Sequence, residues 1–181
     1  MNILAIPGSL RRASFNRLLL EAAAERAPHS MRVAVYDELA SMPLFNEDLE
    51  HAGGAPLAPV ARLRDAVAAA QGLLIATPEY NQSLPGVLKN ALDWLSRPAP
   101  AEVLIGKRVA VIGASSGPWG TRLAQSALRQ VLHATEAMLI SHPPLYVRHA
   151  AQVFDASGRL SDPKVAEALE RILASFAGAS A

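Results

Sequence analysis

The chain has 181 residues, 51% of them hydrophobic and 18% charged, with a formal charge of +1 and no cysteine. Near-neutral charge gives neither the basic footprint of a nucleic-acid binder nor the acidic excess of a highly solvated chain. Without cysteine there is no disulfide, thiolate nucleophile, Cys-ligated zinc or iron–sulfur cluster.

The length suits a single domain, 1–181, with a full core. The N-terminus lacks the basic flank and apolar run of a secretory signal. No stretch approaches the roughly 18 apolar residues that span a bilayer. A soluble, cytoplasmic protein is expected, with no membrane or nucleic-acid partner.

Ile3 to Ile6 is a short apolar run stopped by Pro7-Gly8, a strand ending in a turn. The Leu- and Ala-rich stretch Asn16 to Ala27 reads as a helix closed by Pro28. Met31 to Tyr36 is a second, alternating strand, and Asp37 to Pro59 is the longest irregular stretch. Val60, Leu63, Val67 and Ala70 recur at helical spacing before Gly72.

Leu73 to Ala76 is continuously apolar, as in a strand covered on both faces. A helix opening at Pro85 carries the stripe Val87, Leu88, Ala91, Leu92 and Leu95, followed by the connector 97–100. Val109 to Ile112 is another buried strand. A helix from Thr121 to His133, a fifth strand from Ala137 to Ile140 and a last helix with Val165, Leu169, Ile172 and Phe176 on one face complete the chain. Strands and helices alternate five times, which predicts a three-layer α/β fold around a parallel sheet.

In such sheets ligands bind at the carboxyl ends of the strands. The first loop there, Gly8-Ser-Leu-Arg-Arg-Ala-Ser-Phe-Asn16, offers Ser9, Ser14, Asn16 and Arg11 ahead of a helix N-terminus, a donor set suited to phosphate. The alternative to a phosphate site is a capping turn, with Ser14 or Asn16 as N-cap and both arginines in solvent. Neither the Walker A pattern nor G-x-G-x-x-G is present, so a phosphate here points to a mononucleotide such as FMN.

The second loop, Thr77 to Gly86, sets two prolines around Tyr80, a rigid backbone with an aromatic wall that a planar ring would need. Glu79 could be a general base, but is better read as an acceptor holding this loop or a neighbouring subunit. Trp94 is core or interface. The third loop, Gly113-Ala-Ser115-Ser116-Gly117, matches the nucleophile-elbow pattern G-x-S-x-G. The required order of acid and histidine after Ser115 is met only by Glu136, so small residues beside a flavin edge are the better account. The five histidines lack metal-ligand spacing.

With these loops in place, the sequence resembles the NADPH-dependent FMN reductase family, in its branch of bacterial quinone, azo-dye and chromate reductases. The resemblance rests on Gly8-Ser-Leu-Arg-x-x-Ser-x-Asn16 and on Thr77-Pro-Glu-Tyr-Asn-x-Ser-x-Pro-Gly-x-Leu-Lys-Asn-Ala-x-Asp-Trp-Leu-Ser-Arg97. It implies a flavodoxin-like fold with strand order 2-1-3-4-5 and non-covalent FMN. Ser9, Arg11, Ser14 and Asn16 would surround the phosphate, with Phe15 also in the cofactor site. Pro78, Glu79, Tyr80 and Asn81 would lie along the isoalloxazine, with Ser115, Ser116 and Gly117 on its other side.

The resemblance further implies hydride transfer from NADPH or NADH through FMN to quinones or other small acceptors, among them chromate, azo compounds or free flavin, in a homodimer or homotetramer. An electron carrier or redox-sensing FMN module without nicotinamide turnover is the rival reading. Where relatives often carry Gly-Gly in the third loop, this chain has Trp119-Gly120-Thr121-Arg122. Trp119 could wall the flavin, pack between subunits or cover the loop.

Overall fold

A computed structural model describes residues 1–178. Its strands are β1 (Asn2–Pro7), β2 (Arg32–Val35), β3 (Gly72–Ala76), β4 (Arg108–Ala114), β5 (Met138–Leu139) and β6 (Tyr146–Val147). The helices are α1 (Phe15–Glu25), α2 (Glu47–Ala52), α3 (Ala58–Ala69), α4 (Gly86–Leu95), α5 (Arg122–Ala134) and α6 (Pro163–Ala177). The sheet runs β2-β1-β3-β4-β5 and every pairing is parallel.

Alternation along the strands divides the core into two layers. Ile3, Ala5, Leu74, Ala76, Ala110 and Ile112 face α1 and α6, through Leu19, Leu20, Leu169 and Phe176. Leu4, Ile6, Leu73, Ile75, Val109 and Val111 face α3, α4 and α5, through Leu63, Leu88, Leu92 and Leu128. Covering both faces is why the strands read as unbroken apolar runs. Each fully buried Leu or Ile contributes about 1.5–3 kcal/mol. Gly72 opens β3 because a Cβ there would stand 2.7 Å from the Phe176 ring.

The edge beyond β4 is built in two pieces. The expected strand Ala137 to Ile140 shortens to β5, which pairs with the start of β4 at Arg108 and Val109. The unexpected β6 pairs with its end, at Gly113 and Ala114. Pro143 and Pro144 lie between the pieces and have no amide proton for a ladder.

The segment 37–59, expected to be irregular, also contains structure. Asn46 accepts the Asp48 amide proton at 2.8 Å and caps α2, whose first turn holds Glu47, Asp48 and Glu50. Two 3₁₀ turns, Leu39–Ser41 and Ala55–Leu57, flank it. Among the described residues, no helix is long and apolar enough to cross a membrane.

Candidate flavin site

The carboxyl ends of β1 and β3 are level, and β4 runs two residues further, to Ala114. Pro7 stands beside Ala76, and Ala76 beside Ile112. The ladder continues past them: the Gly8 amide donates to Ala76 O at 2.8 Å and the Thr77 amide to Ile112 O at 3.0 Å. Three loops therefore leave the sheet from fixed roots along one edge. Between them lies a cleft of about 310 Å³, at the lower end of the usual size for small-molecule sites.

Its floor is the first loop. Ser14 is the N-cap of α1, is 2% exposed and makes no side-chain capping bond. The α1 first-turn amides and the Ser14 hydroxyl are thus left for another acceptor. The Ser9 hydroxyl accepts the Arg11 amide proton at 3.3 Å, and the Arg11 guanidinium stands 5.6 Å from the Phe15 ring centroid. Unspent amides, two hydroxyls and a guanidinium in one concavity fit a phosphate dianion.

Asn16 does a different job from the other polar groups of that loop. Its Nδ2 donates to Ala114 O at 2.9 Å and its Oδ1 accepts from Ala114 N at 2.8 Å. This buried pair fastens α1 to the end of β4.

The second loop supplies one wall. Tyr80 and Ser83 exchange backbone bonds at 3.0 Å each, and Asn81 and Gln82 between them both have positive φ, 49° and 64°. That is a type I′ hairpin, in which Asn is favoured. Tyr80 is carried at its base, its hydroxyl 3.5 Å from that of Ser9. Glu79 Oε2 accepts amide protons from Leu123 at 2.8 Å and Ala124 at 3.0 Å, at the α5 N-terminus. Thr121, the N-cap of α5, is left-handed and makes no capping bond, so Glu79 caps the helix from another loop.

The third loop supplies the opposite wall and is held from behind by the chain after β5. The Ser115 amide donates to Val147 O, the Ala150 amide to Ser115 O and the His149 amide to Gly117 O. Buried Gln125 ties this support to α5, donating through Nε2 to Leu145 O at 2.9 Å. Gly113 is required here, since a Cβ would collide with Thr121 Oγ1 and the Thr77 carbonyl. Ser115 Oγ accepts the Gly117 amide proton at 3.1 Å, and Ser115 is not among the positive-φ residues. A nucleophile elbow needs a strained turn, which is not found here.

Of the residues singled out from sequence, Ser9, Arg11, Ser14, Phe15, Asn16, Pro78, Glu79, Tyr80, Ser115 and Ser116 line the cleft. Asn81 is exposed at the hairpin tip, and Gly117 is half-buried; neither is part of the lining. Trp119 also stands outside it, 59% exposed, with the Arg122 guanidinium 4.8 Å from its ring centroid. Trp94 is buried, its Nε1 donating to Pro43 O at 2.9 Å. Two features were missed from sequence. Ala114 joins the lining, and Phe154 stacks on Phe15 with centroids 6.0 Å apart. Neither carries a local polar signal.

Comparison with known proteins agrees with this geometry. The family model for NADPH-dependent FMN reductase matches residues 1–152. The chain is 43% identical to an NAD(P)H-dependent FMN reductase of Pseudomonas aeruginosa, over 96% of this chain and 91% of the relative. It is 40% identical to a 2-hydroxy-1,4-benzoquinone reductase of a Burkholderia species, over 98% and 94%. Among solved structures, a flavoenzyme NAD(P)H:(acceptor) oxidoreductase of Paracoccus denitrificans superposes with a TM-score of 0.87 at 32% identity, covering 97% of this chain and 94% of that one. A flavodoxin-like sheet with a phosphate-ready cleft at its carboxyl edge, and relatives this similar over nearly their whole length, establish that the chain belongs to the NADPH-dependent FMN reductase family.

Proposed function

We propose that the chain is one FMN-binding domain that uses NADPH or NADH to reduce quinones or other small electron acceptors. The observation that carries the reading is the cleft itself, which joins unspent phosphate donors to an aromatic-walled slot between two loops. When bound, FMN supplies the chemistry, accepting hydride from the nicotinamide and returning electrons to the acceptor. Arg11, Ser9, Ser14 and the α1 amides hold the phosphate. The backbone from Pro78 to Tyr80 and the Ser115-Ser116 turn address the polar edge of the ring system from either side.

No side-chain acid or base is assigned. Glu79 is the carboxylate lining the cleft, and its Oε2 is spent on the amides of α5. Quinones are the acceptor class favoured, in keeping with the names of the relatives; chromate, azo compounds and free flavin are secondary substrates. The working form is a cytoplasmic homodimer or homotetramer. Leu44 supports the assembly: it is 81% exposed, yet the backbone on either side is pinned to α4. Asn90 Nδ2 donates to Pro43 O at 2.8 Å and the Phe45 amide donates to Asn90 Oδ1 at 2.7 Å.

The test is an absorbance spectrum of the FMN-reconstituted, desalted protein before and after anaerobic NADPH. A retained flavin band that bleaches is expected. A band that stays oxidised with both NADPH and NADH would instead assign an electron carrier or redox sensor.

A further inference from the structure

A second cavity, of about 250 Å³, lies on the β2 side of the first loop. It shares Ser9 and Arg11 with the flavin cleft, so the two are contiguous. Leu10, Arg12 and the Arg17–Asp37 pair complete the part that matters for recognition. The Arg17 guanidinium is already engaged by Glu21 and Asp37. Arg11 leans over Phe15 on the flavin side. Arg12 is exposed and enters no ion pair among the described residues.

FMN has one phosphate, and the cleft has donors enough for it without Arg12. A contiguous cavity with its own guanidinium therefore suits an anionic group on a second molecule, bound while FMN is in place. Of the two nicotinamide nucleotides, only NADPH carries a phosphate monoester remote from its reacting ring. The geometry points to this cavity as the subsite for the 2′-phosphate of NADPH, with Arg12 as its principal ligand. Leu10, 54% exposed at the rim, offers an apolar surface to the adenine. A guanidinium matches a phosphate in two parallel hydrogen bonds, which an ammonium cannot reproduce. The inference rests on the reading of the cleft as an FMN site that a nicotinamide nucleotide approaches.

The test is calorimetric titration of the FMN-saturated protein with 2′,5′-ADP and with 5′-AMP, which differ only in the 2′-phosphate. The native chain is expected to bind 2′,5′-ADP about tenfold more tightly, the lower end for a charged hydrogen-bonded pair near solvent. Arg12→Ala should erase that advantage, and Arg12→Lys should keep part of it. In turnover, the ratio of kcat/KM for NADPH to that for NADH should fall about tenfold in Arg12→Ala. Equal binding of the two nucleotides by the native chain, or an undiminished advantage in Arg12→Ala, would overturn the assignment. Should the protein turn over neither nicotinamide, the proposed activity fails, while the titration still decides the cavity.

Discussion

Asn16 grips Ala114 by both edges of its carboxamide, Nδ2 on the carbonyl oxygen and Oδ1 on the amide, across 98 positions of sequence. The bond pair sets the distance between the loop that holds the phosphate donors and the turn at Ser115. Its geometry demands a donor and an acceptor on one short side chain, which among carboxyl and carboxamide residues only Asn supplies here.

Asn16→Asp is therefore expected to be more damaging than its size suggests. The carboxylate still accepts from the Ala114 amide but sets its second oxygen against the Ala114 carbonyl. Asn16→Ala leaves both backbone groups unpaired, at about 2 kcal/mol or more. Urea unfolding with an unchanged m-value should show both losses, larger for Asp. A native-like midpoint for Asn16→Asp would remove the clamp from the account.

Glu79 invites a catalytic reading because it lines the cleft, but its hydrogen bonds make it a helix cap. Glu79→Ala should cost about 1 kcal/mol of stability, as the loss of an N-cap does. Glu79→Gln keeps an acceptor oxygen and should lose only the charge–dipole part, roughly 0.3–1 kcal/mol. On nicotinamide oxidation, Glu79→Gln should lose less than tenfold. Removal of a general base costs about 100-fold or more, so stopped-flow measurement of that variant separates the two roles.

How far these features could be seen in advance follows their range in sequence. The strands β1, β3 and β4 announce themselves because both faces are buried, and the loops at their ends announce themselves through Gly, Pro and short polar residues. Glu79, read from sequence as an acceptor holding its own loop or a neighbouring subunit, is an acceptor, but its partners are the Leu123 and Ala124 amides of α5. β6 has no such signal: two residues pair with β4 only because Gln125 and the turn at Ser115 bring that segment in. The clamp at Asn16 was hidden for the same reason, its partner being a backbone unit with no side-chain signature. The helix α2 was legible in principle, from Asn46 followed by Glu47 and Asp48, but its six residues have no buried stripe to mark them.

The turn behind Phe154 makes part of the protein's stability sensitive to acid. Asp155 Oδ1 accepts from the Ser157 hydroxyl at 2.6 Å and from the Ser157 and Arg159 amides, which hold its carboxyl at about 2. A carboxylate depressed in the folded state contributes stability that is present above its unfolded value, near 3.8, and is lost as pH falls through about 2. Unfolding curves from pH 5 to pH 2 should therefore fall more steeply for the native chain than for Asp155→Asn. Parallel profiles would contradict the role given to these bonds.

Leu44 tests the assembly. Its neighbours are fixed by Asn90, by Trp94 and by the edge-on contact of Phe45 with the Trp94 ring, at 4.9 Å between centroids. An apolar side chain presented on a rigid backbone loses little entropy when a second copy covers it. Leu44→Asp touches no buried group, so the fold should persist while light scattering reports a smaller particle. An unchanged mass would take Leu44 out of the interface.

Arg11 bears on the cofactor directly. It is exposed and makes no ion pair among the described residues, so its removal should leave the apo fold intact. Loss of one charge-assisted contact to a phosphate should weaken FMN binding by about 1.5–3 kcal/mol, or roughly 10- to 150-fold. FMN binds the folded state, and at 100 times its Kd it raises the unfolding free energy by about 2.7 kcal/mol. At that same concentration an Arg11→Ala variant with tenfold weaker binding gains only about 1.4 kcal/mol. The midpoint shift on adding FMN should therefore shrink to about half or less, while the apo midpoint stays put. An equal FMN-induced shift in the two proteins would show that the phosphate lies elsewhere.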